Sequence, residues 1–254
     1  MKYFIHLAYK GTNYHGWQRQ PGFVTVQETL EEALRQMLGE KVNCIGCGRT
    51  DAGVHASQYF CHIVVDQAFG FDPVFRLNKM LPGDISVFDV TEVDRNVHAQ
   101  HDAIERTYTY RVHTAKNAFL SELSAFYTGE NLEVARMKTA AELAAAHRDF
   151  RFLCKQPGLY KSTICEIAAA GWTEEGQGSR ISFRISADRF LKGMVRILVG
   201  NMLETGYGRL SLDEFQDCLH GRRKVTIAHM AYPQGLYLSG VKYPFLDLKN
   251  KNRL

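Results

Sequence analysis

Segments with the periodicity of β-strands and segments with the periodicity of α-helices follow one another along the chain, and this alternation limits the fold more than any other feature. The chain opens with Lys2–Tyr9, where apolar side chains occupy every second position, which predicts a half-buried strand. Thr25 and Glu28 then have the Thr-x-x-Glu spacing of a capping box, and apolar residues at helical spacing follow as far as Gly39. A strand, a loop and a helix are therefore expected at the start.

The same two patterns continue to the end of the chain. Alternation predicts further strands at Val42–Ile45, Tyr59–Val65, Ile85–Val90, Thr107–His113, Ser162–Trp172, Arg180–Ala187 and Leu236–Tyr243. Helical spacing predicts helices at Pro73–Met80, Leu132–His147, Arg189–Glu204, and from the capping box at Ser211 to Leu219. We therefore expect an α+β fold with two mixed α/β halves, residues 1–112 and 113–254, which share a largely antiparallel central sheet flanked by helices.

Composition is that of an ordinary globular protein, with 45% apolar and 23% charged residues in 254. The longest apolar stretches are too short to span a bilayer, and the N-terminal segment lacks an apolar core of signal-peptide length. We therefore expect a cytoplasmic protein that does not contact the membrane. In that compartment the six cysteines are expected to be reduced thiols.

A formal net charge of +4 is compatible with a phosphate-rich partner but does not require one. The placement of the basic residues is more informative, because many lie beside glycine, asparagine or aromatic residues. This placement suits a groove that holds phosphates and unstacked bases, whereas solvated surface charges are the other interpretation. The residues concerned are Lys10, Arg19, Arg49, Arg76, Lys79, Arg106, Arg111, Lys192 and Arg196.

The segment GRTDAGVHA at 48–56 combines a guanidinium, a hydroxyl, a carboxylate and an imidazole in a predicted loop, residues 46–57, between two strands. Flexible glycines there can hold Asp51 forward at the loop tip. A carboxylate in that position can act as a nucleophile, a base, a metal ligand or a simple turn cap. His55 is interpreted as a hydrogen-bonded structural group.

Cys44-x-x-Cys47 followed by Cys61-His62 allows a zinc interpretation. The second pair is adjacent in sequence, however, and lacks the spacing of a zinc knuckle. Buried strand thiols explain the pattern better, so we expect no metal site.

Several blocks occur in an order that resembles the bacterial type A tRNA pseudouridine synthases. They are YHGWQRQ at 14–20, GRTDAGVHA, RLNKMLPGDI at 76–85, VHAQHDA at 97–103, RTYTYRV at 106–112, FLKGMVRILVG at 190–200 and GLYLSGVKYP at 235–244. The resemblance implies the pseudouridine synthase fold and an isomerase that converts uridine to pseudouridine in the anticodon stem-loop region of tRNA. It also implies a homodimer and a reaction without a cofactor.

The resemblance further implies roles for individual residues. Asp51 matches the catalytic aspartate, Arg196 its charge partner, Tyr108 the tyrosine that stacks on the base and can take part in its deprotonation, and Arg49 an arginine that helps to extrude the nucleotide. From the residues alone, Arg196 could be a surface helix arginine, Tyr108 strand core, and Arg49 an ion pair with Asp51. Further substrate-binding residues are expected to be Arg106, Lys10, Arg19 and Asn78.

The chain departs from the family pattern in VHAQHDA, where FHARFDA is usual. Gln100 stands in place of a basic residue and His101 in place of an aromatic. Outside this block, Cys47 stands in place of a small residue just before GRTDAGVHA. A lost phosphate contact could alter which uridine fits. The alternatives are therefore a tRNA-binding or tRNA-folding protein with reduced catalysis, or an enzyme with a shifted target.

Overall fold

A computed structural model of the chain describes residues 1–176, 178–225 and 230–246. The helices are α1 (Val26–Leu38), α2 (Pro73–Met80), α3 (Val134–Ala145), α4 (Met194–Gly206) and α5 (Leu212–Leu219). The strands are β1 (Lys2–Tyr9), β2 (Ile45–Gly46), β3 (His55–Val64), β4 (Ile85–Val93), β5 (Glu105–His113), β6 (Ala125–Phe126), β7 (Ile167–Glu175), β8 (Arg180–Ala187) and β9 (Leu236–Lys242). The predicted α+β class, with a largely antiparallel sheet flanked by helices, is confirmed.

The predicted helix ends are formed by the residues expected to form them. The Thr25 hydroxyl accepts the amide of Glu28 at the start of α1, and Gly39 ends the helix in the left-handed conformation with φ 77°. At the start of α5 both halves of the capping box form between Ser211 and Glu214. These local bonds fix where the helices begin and end.

Several predicted boundaries are wrong. Of the predicted strand Val42–Ile45 only Ile45 lies in a strand, β2, and β7 begins at Ile167 and not at residue 162. β3 begins at His55, so the last residues of the predicted loop belong to the strand, because His55 and Ala56 are buried there. α4 begins at Met194 and not at residue 189, because Gly193 at its N-cap has φ 74° and the chain before it is not helical. This late start places Arg196 in the first turn of the helix.

The first of two compact units contains Met1–Glu105 and the C-terminal segment from Leu238. Its strands pair in the order β4-β1-β3-β9, and β2 adds to β3. β1 is antiparallel to both neighbours, with Ile5 opposite Cys61 on one side and Val90 on the other. α2 packs on β4. The sheet of this unit supports the GRTDAGVHA segment directly, since that segment joins β2 to β3.

The second compact unit is Arg106–Tyr237, in which the strands pair in the order β5-β8-β7. Tyr110 of β5 lies opposite Phe183 of β8, and the Phe183 ring centroid is 5.1 Å from that of Trp172 on β7. α3 packs on β7 and on α4. This core holds β5 and α4, the elements that carry Tyr108 and Arg196.

The expected halves 1–112 and 113–254 stay a prediction beside these two compact units. The units change after Glu105, the first residue of β5, and the C-terminal segment from Leu238 belongs to the first unit. Specific bonds hold this segment there: the amide of Val241 donates to Oε1 of Gln58 at 2.8 Å, and the amide of Ile104 donates to the carbonyl of Lys242 at 2.9 Å. A division of the chain into two consecutive segments cannot assign a C-terminal strand to the first unit.

The six cysteines are free and buried. Within the described ranges, no helix combines the length and apolarity needed to cross a membrane.

Candidate active site

The loop that carries Asp51 is held by backbone hydrogen bonds to the segment Tyr14–Trp17. The amide of Gly53 donates to the carbonyl of Tyr14 at 3.1 Å, and the amide of Trp17 donates to the carbonyl of Thr50 at 3.3 Å. Both ends of the loop tip are therefore tied to the YHGWQRQ motif. This explains why two blocks far apart in sequence belong to one structural feature.

Aromatic side chains support the loop from within the first unit. The Tyr9 hydroxyl lies 2.9 Å from the Thr50 hydroxyl, and the Tyr59 hydroxyl donates to the carbonyl of Gly48 at 2.6 Å. The Trp17 ring stacks on Tyr59 with centroids 4.1 Å apart. Buried hydroxyls with fixed partners give the loop a defined position.

Gly16 allows the closest approach between the two motifs. Its φ is 88°, and a Cβ atom there would lie 2.3 Å from the carbonyl oxygen of Thr50. No other residue type fits both the conformation and the space.

The side chains of the loop differ in exposure. Thr50 points into the protein and is buried, Asp51 is half-buried, and Arg49 and Ala52 are exposed. The amide of Val54 donates to the backbone carbonyl of Asp51 at 3.2 Å and closes the turn. Asp51 is thus partly accessible on a fixed backbone, as is required of a nucleophile that must reach a large substrate.

His55 is 1% exposed, and its Nδ1 accepts the amide of Gly11 at 2.9 Å. Because this nitrogen is an acceptor, it carries no proton. The contact is of the structural type expected from the sequence, and it links β3 to the turn after β1.

A second network beside the loop had no clear signal in the sequence. The Tyr14 hydroxyl donates to Oδ1 of Asp84 at 2.6 Å, and the Asn13 amide donates to Oδ2 at 3.2 Å. Burial and the adjacent carboxylate raise the pKa of Tyr14, so the phenol remains a donor at neutral pH. Tyr14 therefore joins the Asp51 loop, through Gly53, to the turn before β4. In the sequence, the only indication of this role of Tyr14 is its position in the YHGWQRQ motif.

Two predicted substrate-binding residues have partners within the protein. Nη2 of Arg19 lies 2.5 Å from Oε2 of the buried Glu31. The Asn78 amide bonds in both directions to the backbone of Val87, at 2.7 and 2.8 Å, and so joins α2 to β4. The backbone amide of Lys10 donates to the carbonyl of Asp84. Substrate binding by Arg19, Asn78 and Lys10 stays a prediction.

Tyr108 and Arg106 lie on β5 in the second unit. The Tyr108 ring is half-buried and meets Phe190 edge to face, with centroids 5.0 Å apart. Nη1 of Arg106 donates to the carbonyl of Asp188 at 3.1 Å. Tyr110, two positions further on, is fully buried and donates to the carbonyl of Tyr232. Of the two tyrosines, Tyr110 is strand core, and Tyr108 keeps an accessible face.

Arg196 is anchored and half-buried in the first turn of α4. Its Nε donates to the carbonyl of Ala231 at 2.7 Å, and the amide of Ala231 donates to the carbonyl of Arg196 at 3.0 Å. This double contact sets it apart from a surface helix arginine. Asp51 belongs to the first unit and Arg196 to the second, so their pairing stays a prediction.

No group of three or more histidine, cysteine, aspartate or glutamate side chains is arranged to hold a metal ion within residues 1–176, 178–225 and 230–246. Cys44 and Cys61 are both buried, and burial raises the pKa of the Cys44 thiol well above its usual range. The Cys44 thiol is therefore neutral at physiological pH, and both side chains belong to the core.

Comparison with known proteins shows extensive similarity. A family model described as tRNA pseudouridine synthase matches residues 140–244, a span that includes α4. The tRNA pseudouridine synthase A of Bacteroides thetaiotaomicron is 42% identical over 248 residues, covering 96% of this chain and 91% of that protein. The proteins of the same name from Bacteroides fragilis and Acetivibrio thermocellus are 40% and 33% identical, covering 96% and 93% of this chain and 96% and 97% of their own lengths.

Proposed function

The chain belongs to the tRNA pseudouridine synthase A family, and from this premise we propose that it acts on the anticodon stem-loop region of tRNA with Asp51 as the nucleophile. Membership of the family makes the chain an isomerase that converts uridine to pseudouridine in tRNA. The observation that carries the further proposal is the fixed backbone position of Asp51. Its loop is hydrogen-bonded to the YHGWQRQ segment and to Tyr9.

The reaction needs a nucleophile, a pocket for the detached base and a route for proton transfer. The Asp51 carboxylate forms a bond to the target nucleotide, the N1–C1′ glycosidic bond breaks, and the uracil turns until C5 faces C1′. The new C5–C1′ bond forms and the carboxylate is released. The C5 proton leaves, and N1, which kept the electron pair of the broken bond, takes up a proton, so the product is an isomer of the substrate. No electrons are gained or lost, so the residues already named supply the chemistry.

Three further side chains have proposed roles. Arg196 keeps the Asp51 carboxylate ionised through its fixed positive charge. Tyr108 stacks on the uracil with its accessible face and can assist removal of the C5 proton. Arg49, exposed beside Asp51, holds the phosphate of the extruded nucleotide.

The wider setting is also proposed from the family pattern. We expect a cytoplasmic homodimer that binds tRNA, with additional contacts from Arg106, Lys10, Arg19 and Asn78. The +4 charge of the chain agrees with an anionic substrate.

Replacement of the nucleophile tests the proposal. Asp51→Asn should abolish tritium release from tRNA labelled at uridine C5, while the dissociation constant for tRNA changes little, because the substitution removes one carboxylate and no phosphate contact. The matched control is Asp66→Asn, at an exposed position after β3, which should keep full turnover.

Two outcomes would contradict the proposal. Substantial turnover by the Asp51→Asn variant would show that another group attacks the nucleotide. Binding of tRNA by the unaltered protein without any tritium release would instead support the alternative of a tRNA-binding protein with reduced catalysis, to which the Gln100 and His101 departures point.

A further inference from the structure

A cavity of about 390 Å³ opens in the second unit beside the C-terminal half of α4. Its walls include Phe126, Tyr127, Tyr207, Tyr232, Glu204 and Arg209. None of these residues has a part in the chemistry proposed above. The volume lies within the range of small-ligand sites in proteins.

The walls are aromatic and accessible. The rings of Tyr127 and Tyr232 lie 5.4 Å apart at 34°, and Tyr232 and Phe126 are 54% and 45% exposed. Flat accessible rings are the surfaces on which unstacked nucleobases bind, because every base has a π-face.

The aromatic walls are held in place before any ligand arrives. The amide of Tyr232 donates to the Tyr127 hydroxyl at 3.3 Å, and its carbonyl accepts the Tyr110 hydroxyl at 2.9 Å. The Tyr207 hydroxyl donates to the carbonyl of Thr128, which also lines the cavity, at 2.7 Å. A ligand here would meet fixed walls, which lowers the entropic cost of binding.

Two charged side chains, Arg209 and Glu204, also line the cavity. The Arg209 guanidinium lies 4.8 Å from the centre of the Tyr207 ring and 3.1 Å from Oε1 of Glu204. The Arg209 side chain is 63% exposed, so this ion pair is weak and can exchange for a phosphate. The Glu204 carboxylate can accept an N–H group from the edge of a base.

The cavity is continuous with the helix face that carries Arg196. Arg196, Gly200, Leu203 and Tyr207 recur at helical spacing along one face of α4, and the last three line the cavity. Tyr232, which also lines the cavity, directly follows Ala231, whose carbonyl accepts the Arg196 side chain. A strand of RNA engaged at Arg196 can therefore extend along this face.

We propose that this cavity is an accessory nucleotide site, in which one unstacked base of the tRNA substrate stacks on Tyr232 and Tyr127 while Arg209 binds the adjoining phosphate. The inference rests on the proposed function, because it assigns part of the same substrate. The combination of aromatic walls, an exposed arginine and a carboxylate acceptor fits a nucleotide, because the base, its N–H groups and the phosphate each meet a matching group.

The test uses the full chain and an unmodified tRNA transcript. Tyr232→Leu should weaken tRNA binding at least about fivefold, the lower end of what a lost base stack costs, whereas Tyr232→Phe should bind normally. Both substitutions leave the backbone bonds of Tyr232 intact. The matched control is Phe119→Leu, which alters a 92% exposed aromatic outside the cavity and should not change binding.

Arg209→Gln gives an independent readout of the phosphate contact. It should reduce the slope of log K against log salt concentration by roughly 0.7 to 0.9, the effect of one lost phosphate contact. An unchanged slope would contradict the role of Arg209.

Light scattering on the same variants separates RNA binding from self-association. Weaker tRNA binding at unchanged mass supports the accessory site. Unchanged affinity of Tyr232→Leu, or a change of mass, would overturn it, and the latter would assign the cavity to a second copy of the chain. Failure of the proposed function would appear instead as absent tritium release from the unaltered protein.

Discussion

At the scale of one residue, Gly16 decides where the loop bearing Asp51 can lie. In Gly16→Ala the new Cβ would start 2.3 Å from the carbonyl oxygen of Thr50, so the loop must move away. Displacement of a reacting group by about 1 Å costs on the order of 100-fold in rate. We expect a loss of this size in tritium release, together with a free energy of unfolding lowered by about 1 to 3 kcal/mol in urea titration.

Gly22 is the matched control for this substitution. It has a similar φ of 80°, but a Cβ there would meet no atom within 4 Å. Gly22→Ala therefore has the same backbone strain without the collision, and it should lose stability while keeping turnover. An equal loss of turnover in both variants would show that strain, and not the position of the Asp51 loop, limits the reaction.

At the scale of an element, the segment after β4 is bonded to β3 through His62, and His98 makes a similar bond within the segment. Nδ1 of His62 accepts the amide of Ala99 at 3.1 Å, and Nδ1 of His98 accepts the amide of Gln100 at 3.1 Å. The two imidazole rings lie 4.8 Å apart, and Nζ of Lys2 bonds to the carbonyl of Val97 in the same segment. Protonation at either Nδ1 would replace an acceptor with a donor.

Burial lowers the pKa of His62 to about 4, with Lys2 and His98 adding to the effect and Asp102 opposing it. The folded state thus binds a proton less readily than the unfolded state, whose histidine titrates near 6.5. The free energy of unfolding should be fully retained above pH 6.5 and should fall as the pH drops towards 4. Urea titrations across this range measure the change.

His62→Asn isolates the contribution of His62, because the amide oxygen can accept the Ala99 bond but does not titrate. This variant should show a flatter dependence of unfolding free energy on pH between 4 and 6.5. His15→Asn, at an exposed position, serves as the control and should leave the dependence unchanged. An unaltered profile in His62→Asn would assign the acid sensitivity to other groups.

The elements show what the sequence can and cannot specify. β1, α2 and β8 have the predicted bounds, because alternation, a proline at the helix start and flanking turns are local signals. β6 has only two residues, too few for a period, and was not predicted. Its existence depends on pairing with β5 in parallel, a contact made at a distance along the chain.

The same distinction applies to the site. The motif GRTDAGVHA identified Asp51 as a candidate, since its residue types are visible in the sequence. The bond between Tyr14 and Asp84 joins residues 70 positions apart, and the ion pair of Arg19 with buried Glu31 depends on how α1 packs. Such partners become visible only when the fold brings them together.

At the scale of the whole molecule, the C-terminal segment packs into the core of the first unit. The stability of that unit therefore depends on Tyr243. This side chain is 3% exposed, its ring lies 5.2 Å from Phe4 on β1 and 5.4 Å from Phe60 on β3, and its hydroxyl donates to the carbonyl of Ala99 at 2.5 Å. Tyr243→Ala should lower the free energy of unfolding by about 3 to 5 kcal/mol, the usual cost of removing a buried aromatic ring. Hydrogen exchange should accelerate in β1 and β3, far away in sequence.

Phe245 is the control for Tyr243. It shows whether a loss of stability comes from the buried Tyr243 ring or from the removal of any aromatic ring in this segment. It lies two positions further along the same segment and contacts the same Phe4 ring, with centroids 5.8 Å apart, but it is 42% exposed. Phe245→Ala should therefore cost much less and leave exchange in β3 nearly unchanged. If both variants were destabilised equally, or if exchange in Tyr243→Ala rose only near the C-terminus, the returning strand would be an attachment to the first unit and not part of its core. The acceleration in β1 and β3 is the decisive result, because it requires the two ends of the chain to unfold together.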